Sequence, residues 1–355
     1  MRILADASLP CLSLLFTEPF HLTLYHSKDA LPELLLTHDI LLCRSTLTVN
    51  ETLLAHTNIK GVATASSGVD HIDSEYLKKR NIALFDAKGC NARAVADYMV
   101  ATLASLQQQD KIIGSKAGVI GVGEVGKRVV ARLQAAGFEV ICFDPLSTTT
   151  SAAYTYGSFS DLSSCDVLCI HPNLHHNPPY PSANLLSADF LDALKPGTTL
   201  INAARGGIVN EEALLKNGGL PLTYCTDVYE HEPSINANII DFATLCTPHI
   251  AGHSIEAKIN AVSIVSEKMH AYFGYPQPKV TLPTLQTPPV LLPKETWQDV
   301  VLSIYNPLHD TNMLKSASDK TLAFLTQRQA HYYRHDFNVY DSAALDEKTM
   351  RLMGL

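Results

Sequence analysis

Three polar side chains stand where apolar runs of this chain end, and their types suit one kind of chemistry. Arg205 follows Leu200-Ile-Asn-Ala-Ala204, Glu232 follows Asp227-Val-Tyr-Glu-His231, and His249 follows Leu245-Cys-Thr-Pro248. Open α/β sheets place their sites at such strand ends. An Arg grips a carboxylate through two parallel hydrogen bonds. A His takes or returns a hydroxyl proton near neutral pH. A carboxylate beside it orients the ring and favours its charged form. Together they fit the removal of hydride and proton from an alcohol carbon next to a carboxylate. Glu230 is as well placed as Glu232 on sequence alone, and Asp227, at the end of its own apolar run, is a further candidate.

A hydride needs an acceptor, and the chain carries a motif for one. Ala117-Gly-Val-Ile-Gly-Val-Gly-Glu-Val-Gly-Lys127 is an apolar strand that runs into glycines at 121, 123 and 126. Gly121 permits a tight turn, Gly123 lets backbone approach a pyrophosphate, and Gly126 lets the following helix pack on the strand. The helix N-terminus then offers free N–H groups and a favourable dipole to the phosphates. Asp144 ends the next apolar run. A carboxylate there accepts from ribose hydroxyls and repels an added phosphate, so NAD is favoured over its phosphorylated form.

These residues need elements to position them, and the bulk properties allow such elements. At 355 residues the chain exceeds one ordinary hydrophobic core, so two or three domains are expected. A content of 46% hydrophobic and 17% charged residues is too apolar for disorder. A formal net charge of -8 argues against nucleic acid as a partner. The eight cysteines form no Cys-x-x-Cys pair. They read as free thiols in a reducing, cytoplasmic compartment, with no disulfide. His175-His176 lies in a Pro/Asn-rich stretch and reads as loop surface, so no metal site is expected. The opening Met-Arg-Ile-Leu-Ala-Asp-Ala reads as a strand start without a signal-peptide core, and no apolar run is long enough for a membrane span.

Strands expected at Ile3–Ala5, Asp39–Cys43, Gly61–Thr64 and Ile82–Phe85 alternate with helices at Leu31–Leu36, Glu51–Ala55 and Ser74–Arg80. That alternation indicates a parallel α/β sheet. Asn91–Gln109, without Gly or Pro, reads as a long buried helix. A second α/β set follows, with strands at Gly118–Val122, Glu139–Phe143, Asp166–Ile170, Thr198–Asn202, Leu222–Val228 and Thr244–Thr247. Its helices are Glu124–Ala136, Ala188–Ala193 and Asn210–Lys216. Thr148–Ser151 reads as a surface turn. Ser254–Phe273 is again a long helix, the Pro-rich stretch Tyr275–Pro293 a linker, and Trp297–Leu355 a compact tail with a strand at Phe337–Tyr340. The expected domains are 1–94 with 249–276, 95–248, and 277–355.

Val119–Gly126, Ile201–Val209, Asp227–Pro233 and Thr247–Gly252 together make the chain resemble the D-isomer-specific 2-hydroxyacid dehydrogenases over roughly residues 1–275. The resemblance implies a Rossmann-type NAD-binding domain inserted in a flavodoxin-like α/β substrate domain, here followed by a small α+β C-terminal domain. It implies that Arg205 binds and polarises the substrate, that His249 is the acid/base, and that Glu232 rather than Glu230 is its partner. It places Glu124, Val125, Asn173, Ala203, Ala204 and Gly252 against NAD with the three glycines and Asp144, and Asp227 on the nicotinamide side.

Within that family, Leu42-Cys-Arg-Ser-Thr46, Thr64-Ala-Ser-Ser-Gly-Val-Asp-His71, Lys88-Gly-Cys-Asn-Ala92 and the added tail resemble a branch that oxidises a small phosphorylated 2-hydroxy acid, 4-phospho-D-erythronate. The same likeness implies a homodimer through the tail. Arg44, Ser45, Ser66, Ser67, Gly68 and His253 then form the substrate-binding set. Two features depart from that branch: His171-Pro-Asn-Leu174 moves a proline by one position, and His253 replaces a Tyr. Rival readings are a dehydrogenase of phosphoglycerate or of an unphosphorylated 2-hydroxy acid, and a silent NAD-sensing protein.

Overall fold

The computed structural model describes residues 1–147, 153–216, 221–283, 288–331 and 334–355, so the turn expected at Thr148–Ser151 lies outside the described residues. The chain divides into two compact units, Met1–Asn91 with Ser254–Gln286, and Ala92–His253 with Thr287–Leu355.

The first unit begins with β1 (Arg2–Asp6), α1 (Leu12–Leu15), β2 (His21–Tyr25), α2 (Leu31–Leu34), β3 (Ile40–Cys43), α3 (Glu51–Leu54), β4 (Gly61–Thr64), α4 (Ser74–Lys79) and β5 (Ala83–Asp86). The strands form one parallel sheet in the order β2-β1-β3-β4-β5, a flavodoxin-like arrangement. Strands β3 and β4 are buried at every position, as central parallel strands are when helices cover both faces. Ile3, Ala5, Leu42 and Ala63 point into one core, and Leu4, Leu41, Cys43 and Val62 into the other.

The second unit opens with α5 (Ala92–Gln108), β6 (Lys116–Ile120), α6 (Gly126–Ala136), β7 (Glu139–Phe143), β8 (Val167–Ile170), α7 (Ala188–Asp192), β9 (Thr199–Asn202), α8 (Glu211–Lys216), β10 (Thr223–Thr226), α9 (Ala237–Phe242) and β11 (Leu245–Cys246). Its six strands are parallel, in the order β11-β10-β9-β8-β6-β7. Strand order reverses between β6 and β8, which is where a doubly wound sheet opens a ligand crevice. Helix α5 is buried on nearly all sides, consistent with its uninterrupted apolar sequence. Helix α6 stops at Gly137, whose φ of 97° suits a left-handed cap.

The chain then returns to the first unit as α10 (Ile255–Phe273), capped by the Ser254 side chain and ended by Gly274. Its Val262, Val265 and Met269 close the core over Ile3 and Leu42.

The tail consists of α11 (Trp297–Ile304), α12 (Pro307–Ser316), α13 (Lys320–Ala330) and α14 (Glu347–Leu352), and it groups with the second unit. Val300, Val301, Phe337 and Met353 pack on Val100, Ala101 and Ala104 of α5. The strand expected at Phe337–Tyr340 is instead a 3-10 turn, Phe337–Val339. Its Phe337 is fully buried and gives its backbone N–H to Asp97 Oδ2 at 2.8 Å, so a side chain satisfies the group a neighbouring strand would have used. The tail is therefore helical rather than α+β, and Val290 and Asp341 form only an isolated bridge. No helix among the described residues is long and apolar enough to cross a membrane.

Candidate active site

The glycine turn lies at the β6 end of the crevice. Gly121 has φ 81°, and a Cβ there would lie 2.7 Å from Pro172 N, so the turn is packed directly on the segment after β8. A Cβ on Gly126 would fall 2.0 Å from Gly121 O, which enforces glycine where α6 meets its own turn. A Cβ on Gly123 would meet nothing within 4 Å. The Val125 cap of α6 makes no side-chain hydrogen bond. Asp144 is held at the end of β7 by Val122 N at 2.8 Å and Leu146 N at 3.2 Å. Glu124 turns its carboxylate to Lys127 and Arg128 rather than across the turn. An open, side-chain-free turn at an uncapped helix start, with a fixed carboxylate opposite, fits a dinucleotide pyrophosphate and ribose.

Arg205, Asp227, Glu232 and His249 follow the ends of β9, β10 and β11. Asn202, the last residue of β9, shapes the Arg205 loop: its Nδ2 donates to Arg205 O at 3.1 Å, and its Oδ1 accepts from Ala204 N at 3.1 Å. A Cβ on Gly206 would lie 1.9 Å from Tyr229 O, so the Arg205 loop is pressed against the loop that carries Glu232. Glu232 Oε1 accepts from Tyr229 N at 3.0 Å, and Glu232 Oε2 lies 2.7 Å from His249 Nδ1. Glu230 instead ties to the start of α8, where its N–H donates to Glu211 Oε1 at 3.0 Å. The geometry thus selects Glu232 of the two carboxylates as the neighbour of His249.

Burial pushes the Glu232 carboxyl up. The His249 ring, the Tyr229 N–H and Arg328 outweigh it and hold the carboxyl below the usual range. His249 has φ 57°, a left-handed conformation rarely adopted by a side chain of this size. Asp227 explains how that is maintained. Its Oδ1 accepts from Thr247 Oγ1 at 2.6 Å and Ile250 N at 2.8 Å, and its Oδ2 from Ala251 N at 2.9 Å. The carboxylate therefore holds the chain on both sides of His249, through the Thr247 hydroxyl before it and two backbone N–H groups after it. Complete burial pushes it up to about 6, against the opposing pull of His249 and these donors.

Ala203 and Ala204 lead into Arg205, and Gly252 and His253 leave the His249 loop, so all lie at the carboxyl ends of strands. Burial, with His331, Arg328, His249 and Arg334 nearby, pushes His253 well below the usual imidazole range. After β8, His171 N donates to Ile120 O at 2.8 Å. Burial pushes the His171 ring down to about 3. Asn173 leaves its side chain exposed while its carbonyl accepts from Ser182 Oγ at 2.5 Å.

In the first unit the substrate candidates also gather at strand ends. Cys43 and Thr64 are paired residues closing β3 and β4. Arg44 and Ser45 follow the first, and Ser66, Ser67 and Gly68 follow shortly after the second. Arg44 Nε donates to Asp6 Oδ2 at 2.9 Å at the end of β1, the strand on the other side of β3. Ser67 Oγ accepts from Gly89 N at 3.3 Å, whereas Ser45 is exposed. Sequence reasoning missed Gly206, Thr247 and Arg328. Gly206 stands in the same Arg-Gly-Gly run as Arg205 and was open to notice. Thr247 opens the Thr247–Gly252 segment and was equally open to notice, whereas Arg328 carries no local signal.

Residues 92–251 match the model for the D-isomer specific 2-hydroxyacid dehydrogenase, NAD binding domain. The chain is 54% identical over 340 residues to the erythronate-4-phosphate dehydrogenase of Legionella pneumophila (strain Lens), covering 96% of each protein. It is 36% identical over 281 residues to the erythronate-4-phosphate dehydrogenase of Marinomonas sp. (strain MWYL1), covering 77% of this chain and 73% of that protein. In fold it is similar to the crystal structure of D-lactate dehydrogenase from Aquifex aeolicus complexed with NAD and lactic acid. That match has a TM-score of 0.64 and 21% identity, over 77% of this chain and 96% of that one. A near full-length relative at this identity, together with the matched cofactor domain, leaves one conclusion: the chain belongs to the D-isomer-specific 2-hydroxyacid dehydrogenase family, and residues 92–251 are its NAD-binding domain.

Proposed function

We propose that this protein oxidises 4-phospho-D-erythronate to (R)-3-hydroxy-2-oxo-4-phosphobutanoate with NAD, a step in pyridoxal 5'-phosphate synthesis. One observation carries the reaction type: His249 Nδ1 sits 2.7 Å from Glu232 Oε2, on a loop that Asp227 holds at the ends of β10 and β11. The substrate rests on the 54% identical relative named for erythronate 4-phosphate.

In this reading Arg205 binds the substrate carboxylate and keto oxygen, and His249 takes the C2 hydroxyl proton through Nε2. Glu232 orients the ring from the Nδ1 side and balances its positive charge once protonated. Gly121, Gly123 and Gly126 leave room for the pyrophosphate of NAD, and Asp144 meets the adenosine ribose. Glu124, Val125, Asn173, Ala203, Ala204 and Gly252 line the cofactor. Asp227 acts on the nicotinamide side by fixing the Ile250–Ala251 backbone. Bound NAD supplies the acceptor for the hydride leaving C2.

Arg44, Ser45, Ser66 and His253 bind the phosphorylated substrate, and the N–H groups near Ser67 and Gly68 face its carboxylate. The protein works in the cytoplasm as a homodimer joined through its tail.

The test is kcat/KM for 4-phosphoerythronate, 3-phosphoglycerate and D-lactate with NAD. A preference of at least about a hundredfold for 4-phosphoerythronate, or roughly 3 kcal/mol, is expected. A preference for 3-phosphoglycerate or D-lactate overturns the substrate. NAD binding with no oxidation of any of them overturns the enzyme.

A further inference from the structure

We propose that Arg328, on α13 of the tail, is a positioning residue for this reaction: its guanidinium fixes the Glu232 carboxylate that orients His249, so the tail completes the active centre. The inference rests on the reading of Glu232 and His249 as the proton-handling pair.

Arg328 Nη1 lies 3.8 Å from Glu232 Oε2, the same oxygen that faces His249 Nδ1. Its position follows from an anchor one helical turn earlier. Phe324 is fully buried and meets the Tyr229 ring edge-on, with centroids 5.8 Å apart. Tyr229 is the residue whose N–H holds the other oxygen of Glu232. Residues four apart share a helix face, so burying Phe324 aims Arg328 at the carboxylate, with its guanidinium carbon 5.9 Å from the Phe324 ring.

A second fastening holds the end of this segment to the histidine loop. Arg334 Nη2 donates to Ala251 O at 2.9 Å and Nη1 to His253 O at 3.0 Å, while its guanidinium carbon lies 4.6 Å from the Tyr305 ring centroid. The tail thus grips both loops of the pair.

Other charged groups also face Glu232. Glu211 of α8, pushed up to about 7 by burial and by Glu230 and Glu232, opposes its charge. His249 favours that charge from the β11 side, and Arg328 adds the favourable charge from the tail. Asp227 is turned away into the His249 loop.

Arg328→Gln and Arg328→Lys are compared with the parent protein in the full chain. For Arg328→Gln the expected result is a fall in kcat of about two- to fivefold, the scale of a partly exposed ion pair. The acidic limb of the pH profile should move upward, with both KM values little changed and Arg328→Lys restoring most of the loss. The sign follows because removing the cation lets Glu232 accept its proton at higher pH. A raised KM for the acid with unchanged kcat and pH profile would make Arg328 a substrate ligand and overturn the proposal. A lowered melting temperature with an unmoved pH limb, or no change at all, overturns it equally. NMR titration of the Glu232 carboxyl carbon reads the same shift without turnover. A parent protein that oxidises no acid would sink the proposed function, yet this titration would still decide the role of Arg328.

Discussion

Each glycine of the cofactor turn is present for a different reason, and the reasons separate experimentally. Gly126 has no room for a methyl group, because Gly121 O lies 2.0 Å from where the Cβ would sit. Gly123 has room on the protein side, so in the proposed reading it is the phosphates of NAD that exclude a side chain there. Gly126→Ala should therefore destabilise the fold by about 1–3 kcal/mol, the usual range for overpacking, and lower the melting temperature without NAD present. Gly123→Ala should leave that temperature unchanged and raise KM for NAD about tenfold, as loss of a charge-assisted hydrogen bond does. Equal melting losses in both variants would show that Gly123 is structural. Arg205 and His249 were legible because each closely follows an apolar run that reads as a buried strand. Glu232 came only from the family resemblance, since the residue pattern left Glu230 equal to it, and the two separate in space because Glu230 is drawn to the start of α8.

At the level of elements, the strands of both sheets were readable wherever they are buried on both faces. Residues 40–43, 61–64, 167–170 and 199–202 are apolar or β-branched except for Asn202, and buried throughout. Strand β2 was missed because it lies at a sheet edge. His21–Tyr25 is exposed or half-buried except at Tyr25, and its alternation is blurred by His21 and Thr23. Phe337–Val339 misled in the opposite way, since an alternating Phe-Asn-Val segment whose N–H is satisfied by the Asp97 side chain resembles a strand. Asp97 also pairs with Arg132 of α6, and burial pushes its carboxyl above the usual range despite that cation. Such a pair depends on α5, α6 and the tail at once, and no local pattern announces it. The reach of α13 to Glu232 was hidden for the same reason: Phe324 and Arg328 look like an ordinary amphipathic pair until Tyr229 is beside them.

On the scale of the whole molecule, the tail has two proposed tasks, to support the pair from α13 and to join two copies of the chain. Sedimentation equilibrium reads the second: a dimer is expected for the full chain, and a monomer at micromolar concentration would remove that claim. The proposed reaction depends on a proton passing through His249. Its most direct test is His249→Ala, with NADH formation from 4-phosphoerythronate and NAD binding measured on the same sample. Loss of a general base of this kind costs about 10²–10⁴ in rate, so turnover should fall by that factor while the dissociation constant for NAD stays within about twofold of the parent value. Turnover retained near the parent rate would contradict a proton-transfer role for His249.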